Sequence, residues 1–126
     1  MRTVFWEDNQ VKMIDQRVLP ARLEVVSLPE YLDVARAIEN MTVRGAPAIG
    51  ASAAFGLALA AQRSPSSSAG DLLADLRTAA AVLKSARPTA VNLTWALDRV
   101  LRAAGYGDGS AEHMRAAVLA EAQKIA

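Results

Sequence analysis

The chain has 126 residues, of which 52% are hydrophobic and 21% are charged, and this composition is that of one ordinary globular domain. It contains no cysteine, which excludes a disulfide scaffold, a thiolate metal site and a cysteine nucleophile among these residues. The single histidine, His113, argues against a zinc site or a serine-protease triad, and a net charge of +1 gives no electrostatic basis for nucleic acid or an anionic membrane as a partner.

Residues 1–28 predict a small antiparallel sheet of two or three strands. Short runs rich in β-branched and aromatic residues occupy positions 3–6, 10–14 and 22–26. Asp8 and Asn9 separate the first two runs and are typical of a hairpin turn. We therefore expect residues 1–28 to form a β-sheet subdomain and residues 29–126 to form a helical subdomain.

The rest of the chain is rich in alanine, the strongest helix former, and predicts a bundle of about five helices. The expected fold class is therefore α+β. The predicted helices cover residues 29–41, 47–62, 71–86, 90–105 and 111–126. Their predicted N-terminal caps include Ser27 with Glu30 as capping-box partner for the first helix, Thr89 for the fourth and Ser110 for the fifth.

Apolar spacing predicts the buried face of each helix. On helix one this face includes Met41, and on helix four it consists of Val91, Trp95, Leu97, Val100 and Leu101. Trp6 and Trp95 are interpreted as core or lid aromatics, and His113 as an exposed helical residue. The acidic residues Asp15, Asp71, Asp75 and Asp98 show no paired spacing, so we expect them on solvated faces.

The segment Gly45–Gln62 carries no charge and is nearly long enough to span a membrane. Its many alanines and glycines, with Pro47 near one end, favour a helix buried among other helices, so we expect a soluble, cytoplasmic protein. The following stretch, Ser64–Gly70, predicts a polar loop that is the least ordered part of the chain. Helix five reaches Ala126 without a stop signal, which predicts that the sequence belongs to a longer protein.

The segment Val43–Gly50 has the pattern of an anion site at a helix N-terminus. Arg44 and Gly45 precede a helix whose first turn holds no acid, and small residues at Gly45 and Ala46 leave the backbone N–H groups open to a ligand. The alternative is structural: Gly45 is a turn glycine, and Arg44 pairs with an acid such as Glu39.

Arg87 has a similar position just before helix four, so two helix N-termini could face one anion. Its alternative role is that of a cation placed favourably at the C-terminus of helix three. Asn92 could bond across the site or to backbone, and the sequence leaves both open.

Four segments of the sequence form a characteristic, ordered set: Trp6–Asp8, Asp15–Pro20, Val43–Gly50 (VRGAPAIG) and Arg87–Arg99 (RPTAVNLTWALDR). With these segments the chain resembles, over essentially its whole length, the N-terminal domain of the methylthioribose-1-phosphate isomerase family. Members of that family convert 5-methylthioribose 1-phosphate to 5-methylthioribulose 1-phosphate in methionine salvage without a metal or organic cofactor. The same fold family includes ribose-1,5-bisphosphate isomerases and regulatory subunits of an initiation-factor exchange factor.

The resemblance implies that Arg44, Gly45, Ala46 and Arg87 bind substrate. It also implies that the catalytic cysteine and aspartate belong to a second, Rossmann-like domain that is absent from this sequence, and that the full-length protein is a homodimer. The chain alone is therefore expected to hold no catalytic residue and to be inactive. A different function, that of a non-enzymatic regulatory or adaptor domain of the same fold, is the alternative.

Overall fold

A computed structural model of the protein describes residues 3–105 and 109–126. In these residues a three-stranded antiparallel sheet precedes five α-helices, which confirms the predicted α+β class. The strands are β1 (Val4–Glu7), β2 (Gln10–Ile14) and β3 (Val25–Leu28), and a short 3-10 helix covers Gln16–Val18. The helices are α1 (Tyr31–Glu39), α2 (Ala46–Arg63), α3 (Ala69–Ala86), α4 (Val91–Gly105) and α5 (Ala111–Ile125).

The sheet has β2 at its centre, paired with β1 on one side and β3 on the other. Asp8 and Asn9 form the predicted hairpin turn with φ of 56° and 55°, values that both residue types tolerate better than most. The third strand begins three residues later than predicted, at Val25, which pairs with Ile14. This register half-buries Val26 and Leu28, whereas Leu23 is 55% exposed.

Helix α2 is the centre of the fold. Every residue from 49 to 61 is buried, and the other four helices and the sheet contact it. This bears out the predicted buried helix, because a helix surrounded on all sides presents no polar face. Among the described residues, none of the helices has the length and apolar character needed to cross a membrane.

Helix α1 differs from its prediction at both ends. Ser27 lies in β3, and the N-terminal cap is Glu30, which forms a capping box with Asp33. The helix ends at Glu39, and Met41 follows with φ of 67° and 44% of its surface exposed. Met41 is therefore not part of the buried helical face.

Helix α4 buries only part of the predicted face: Leu97 and Val100 are buried as predicted, and Leu101 is half-buried. Val91 is 79% exposed and Trp95 is 49% exposed, so neither belongs to the core. The buried residues of α4 are Leu93, Ala96, Leu97, Val100 and Ala104.

The serine-rich segment after α2 is held by hydrogen bonds, contrary to the expectation of low order. The hydroxyls of Ser64 and Ser66 donate to Oδ2 of Asp75 at 2.5 and 2.8 Å. Nη2 of Arg115 donates to the carbonyl oxygens of Ser64 and Ser66 at 2.9 and 2.7 Å. Ser68 then caps α3, which begins at Ala69.

Candidate functional site

The N-terminus of α2 is open. Gly45 is its cap residue, with φ of 94° and no side chain to bond the first turn. The helical ladder starts where Ile49 N–H donates to the Gly45 carbonyl at 2.9 Å, so the amides before Ile49 have no partner within the helix. Pro47 has no N–H to leave unpaired, and the first turn holds no acid.

Arg44 is exposed beside this helix start. Within residues 3–105 and 109–126 its side chain forms no ion pair or hydrogen bond, so the alternative pairing with Glu39 is not found. Its positive charge is therefore available to a ligand.

The N-terminus of α4 is built in a similar way. Arg87 is the C-cap of α3, and its carbonyl accepts from Ala90 N–H at 3.0 Å in a tight turn. The Ala90 carbonyl then accepts the first helical bond, from Thr94, so the predicted cap at Thr89 is wrong. Alanine offers no capping oxygen and the first turn of α4 has no acid, which leaves this positive helix end uncompensated as well.

The two helix starts meet because α2 and α4 approach each other closely at Gly50. A Cβ added there would lie 3.4 Å from the Asn92 carbonyl oxygen, so the first turns are already in van der Waals contact. Between them lies a pocket of about 370 Å³, which we call the α2–α4 pocket. It is lined by Met41, Arg44, Gly45, Ala46, Ile49, Arg87, Ala90, Val91 and Asn92.

All four residues that the sequence predicts to bind substrate thus line a single pocket. Half-buried Arg87 and exposed Arg44 supply two cations, and the two helix N-termini add partial positive charge. No acid of the described chain is among the lining residues. The pocket is suited to a small anion such as a phosphate group, which fits the fork of an arginine and the N–H groups of a helix start.

An unpaired arginine alone does not mark this site. Arg77 and Arg102 also lack an acidic partner in the described residues, but both are exposed on helix surfaces away from the helix starts. What distinguishes the α2–α4 pocket is that two unpaired arginines and two uncapped helix starts share it.

A second pocket, of about 320 Å³, has the opposite character. Its walls include the acids Glu30 and Asp75. Its arginine, Arg63, already donates to the carbonyl oxygens of Pro29 and Asn9 at 3.1 and 2.8 Å. Because its cation and Asp75 are engaged within the protein, this pocket has little to offer an anion.

The other residues considered from the sequence lie elsewhere. Trp6 stacks on Phe55 with the ring centroids 5.9 Å apart, and His113 is exposed on α5 as predicted. Trp95 lies on the surface of α4 under the guanidinium of Arg99, 5.4 Å from the ring centroid.

Sequence reasoning did not identify the apolar wall of the pocket. Met41, Ile49 and Val91 line it, although Met41 and Val91 were expected in the core. The one signal for Ile49 was its place in the Val43–Gly50 motif. Nothing in the local sequence indicates that Met41 leaves the helical conformation.

Residues 42–126 match the initiation factor 2 subunit family. A methylthioribose-1-phosphate isomerase from Chloroflexus aurantiacus is 49% identical over 126 residues, which is 99% of this chain and 36% of that protein. The isomerase of the same name from Synechococcus is 46% identical over 98% of this chain and 36% of its own length.

Solved structures agree in fold. A 5-methylthioribose 1-phosphate isomerase from Pyrococcus horikoshii superposes with a TM-score of 0.94 at 44% identity, over 99% of this chain and 35% of that one. The delta subunit of translation initiation factor eIF-2B from A. fulgidus superposes with a TM-score of 0.93 at 42% identity, over 99% and 36%. The chain spans about a third of the length of these relatives. Because the family match covers more than half of the chain, the protein belongs to the initiation factor 2 subunit family.

Proposed function

We propose that this chain is the N-terminal, substrate-binding part of a methylthioribose-1-phosphate isomerase. The observation that carries the proposal is the convergence of Arg44, Arg87 and the starts of α2 and α4 on one pocket without an acid. The names of the two isomerases that are 46% and 49% identical to this chain support the choice of substrate, 5-methylthioribose 1-phosphate. The positive charge of the pocket is suited to the phosphate group of this sugar.

In the full-length protein the reaction is an isomerisation of an aldose phosphate to a ketose phosphate. The phosphate blocks the anomeric carbon, so ring opening cannot proceed through a free hemiacetal. The ring C1–O4 bond breaks and O4 takes up a proton. The hydrogen on C2 is transferred to C1, either as a proton through an enediol or as a hydride, and the C2 hydroxyl loses its proton as the C2 carbonyl forms. The groups that carry this step would lie in the second, Rossmann-like domain, whose cysteine and aspartate have no counterpart at the α2–α4 pocket.

Within that scheme this chain binds and orients. Arg44 and the Gly45–Ala46 amides would hold phosphate oxygens, and Arg87 would hold the phosphate or a ribose hydroxyl. The apolar wall that includes Met41 and Val91 would help to exclude water from the reacting centre once the second domain covers it. We further propose that the full-length protein is a cytoplasmic homodimer that acts in methionine salvage on a small metabolite, with neither nucleic acid nor a membrane as partner.

A second candidate is a non-enzymatic regulatory subunit. It is favoured by the similarity to the A. fulgidus initiation-factor subunit, which is nearly as high as that to the isomerase structure. The two candidates differ in the domain that follows in the full-length protein. A cysteine and an aspartate facing the α2–α4 pocket would support the isomerase, and their absence would support the regulator.

The anion site can be tested on the chain itself by titrating inorganic phosphate and following backbone amide resonances. We expect the Gly45, Ala46 and Asn92 amides to shift, and Arg44→Ala and Arg87→Ala each to weaken binding about tenfold or more. Arg77→Ala is the matched control, since it removes an exposed, unpaired arginine outside the pocket. Equal affinities for the Arg44→Ala and Arg77→Ala variants would contradict the proposal.

A further inference from the structure

A compact polar cluster of Asp15, Arg17, Asn40 and Thr42 lies where the 3-10 helix meets the turn before α2. This turn leads directly to the residues of the α2–α4 pocket. In the described residues the polar or charged side chains that are buried are Asp15, Thr42 and Ser52. Asp15 and Thr42, each 3% exposed, both belong to this cluster. A buried carboxylate requires specific partners, because its desolvation is costly.

Asp15 has those partners on one side, in the 3-10 helix. Its Oδ1 accepts from Arg17 N–H at 2.9 Å and from Arg17 Nε at 3.0 Å, and its Oδ2 accepts from Arg17 Nη2 at 2.8 Å. Its own N–H donates to the Glu24 carbonyl at 2.9 Å. The forked ion pair and the cap together fix the geometry of the 3-10 helix.

This helix in turn contacts the chain that leads into α2. Gln16 N–H donates to the Thr42 carbonyl at 2.8 Å. On the other side, Asn40 Oδ1 accepts from the N–H and the hydroxyl of Thr42 at 3.0 and 2.6 Å. Thr42 is therefore held from two directions, and the next residue, Val43, is only 1% exposed.

The turn held by these hydrogen bonds, residues 40–43, is next to the pocket residues in the chain. Arg44 and Gly45 follow Val43 directly, and both are exposed. Met41, on the other side of Thr42, has a positive φ of 67° and lines the pocket. A residue other than glycine keeps such a conformation only where its surroundings hold it there.

We propose that Asp15 is a positioning residue for the α2–α4 pocket: through the 3-10 helix and the Gln16–Thr42 hydrogen bond, it fixes the turn that presents Met41, Arg44 and Gly45. Asp15 does not line the pocket and touches no ligand there. The inference rests on the proposed function, since it gives Asp15 a part in the same anion site.

The test compares Asp15→Asn and Asp15→Ala with Glu121→Gln in the same chain. Glu121 accepts a hydrogen bond from Arg99 Nε at 2.5 Å between α4 and α5. Its replacement therefore breaks a part-buried ion pair whose two residues do not line the pocket. Inorganic phosphate is titrated at a temperature where all variants are folded. We expect both Asp15 variants to bind phosphate about tenfold more weakly, because a displaced turn would remove about one charged hydrogen bond between Arg44 and the phosphate. Glu121→Gln should bind phosphate like the original chain.

Amide hydrogen exchange is the second readout, and it requires no ligand. The Gln16 and Val43 amides, which donate to Thr42 and Ala37, should exchange about tenfold faster in the Asp15 variants, while amides in the middle of α2 keep their rates. A uniform acceleration across the chain would mean that Asp15 only stabilises the fold, and would overturn the inference.

The outcomes separate the inference from the proposed function. If Arg44→Ala weakens phosphate binding and the Asp15 variants do not, the anion site stands and the positioning role of Asp15 is overturned. If the original chain binds no phosphate, the anion site fails, and unchanged Gln16 and Val43 exchange would then overturn the positioning role too. If Asp15→Ala does not fold, Asp15→Asn and Asn40→Ala, which removes the other hold on Thr42, supply the same comparison.

Discussion

Gly50 in α2 lies against Asn92 in α4, with room for a methyl group and little more. A Cβ on Gly50 would stand 3.4 Å from the Asn92 carbonyl oxygen and 3.8 Å from the Cβ of Ala96. These are ordinary contact distances, so the two first turns are packed as closely as an alanine would permit. The separation of the two helix N-termini, and with it the width of the α2–α4 pocket, is set at this point.

Gly50→Ala should therefore be tolerated, and better helix propensity should raise the free energy of unfolding by up to about 1 kcal/mol. Gly50→Leu should push the helices apart, lower the free energy of unfolding by about 1–3 kcal/mol and weaken phosphate binding. Urea unfolding and phosphate titration measure the two effects. Phosphate affinity in Gly50→Leu equal to that of the original chain would show that the helix spacing does not shape the pocket.

Gly56 provides the contrast, because it is crowded far from the pocket. A Cβ there would lie 3.0 Å from both Cδ atoms of Leu83 and 3.4 Å from Val34 Cγ1. Gly56→Ala should lower the free energy of unfolding by about 1–3 kcal/mol, since these buried side chains must shift, and should leave phosphate affinity unchanged. An increase in stability, measured by the same urea unfolding, would mean that the core yields without cost.

Gly45→Ala tests the backbone at the cap of α2. Nothing lies within 4 Å of a Cβ built there, so any cost comes from the positive φ of 94°. We expect a loss of about 1–2 kcal/mol in the free energy of unfolding. Gly70→Ala in α3 is the control: its surroundings are equally open, its φ is helical, and it should be neutral or stabilising. Similar effects for both variants would argue against strain at Gly45.

Asp15 predicts a pH dependence of stability. Hydrogen bonds from the Arg17 side chain hold the pKa of Asp15 below its ordinary value of 3.8, against the opposing effect of burial. A carboxyl whose pKa is lower in the folded state stabilises that state above its unfolded pKa, and the contribution is lost as pH falls through the folded pKa. Asp15→Asn should be less stable at neutral pH by about 1.5–3 kcal/mol, and this difference should shrink as the solution is acidified below the ordinary pKa. Urea unfolding across this range measures both, and a difference that stays constant with pH would contradict the assignment.

In the proposed full-length isomerase, replacement of Arg44 provides the most direct test of the anion site. Arg44→Ala should reduce kcat/KM by about 10- to 150-fold, the equivalent of about 1.5–3 kcal/mol for a hydrogen bond to a charged partner. Arg44→Lys should fall between the alanine variant and wild type, because a point charge on a flexible stem does not reproduce the arginine fork. Steady-state kinetics measure kcat/KM for each variant and the wild type. An unchanged kcat/KM in Arg44→Ala together with a lowered Tm would assign Arg44 a structural role.

The features set by neighbouring residues could be predicted from the sequence. Asp8 and Asn9 tolerate the positive φ of a tight hairpin, and Gly45 with Pro47 marks the start of α2. The motif around Arg44 is local in the same sense, so Arg44, Gly45 and Ala46 could be named as candidate binding residues before their positions were known.

Features that depend on distant residues could not be predicted in this way. Trp95 looks like a core residue because it is large and apolar, yet α4 turns the small Ala96 toward Gly50, since only a small residue fits there. Asp15 looks like a surface acid, and its burial depends on Glu24 and on the turn at Thr42, which lie elsewhere in the sequence. In both cases close packing between elements overrides the side chain's own preference.

The positions of the two tryptophans give the molecule a built-in optical probe. Trp95 is 49% exposed on α4, one turn beyond Val91 at the wall of the pocket, whereas Trp6 stacks on Phe55 at the junction of sheet and helices. Their fluorescence should differ accordingly, with red-shifted emission from Trp95 that solutes quench readily and bluer, better shielded emission from Trp6. In a Trp6→Phe background, the emission of Trp95 alone should report when a ligand fills the pocket or when the proposed second domain covers it.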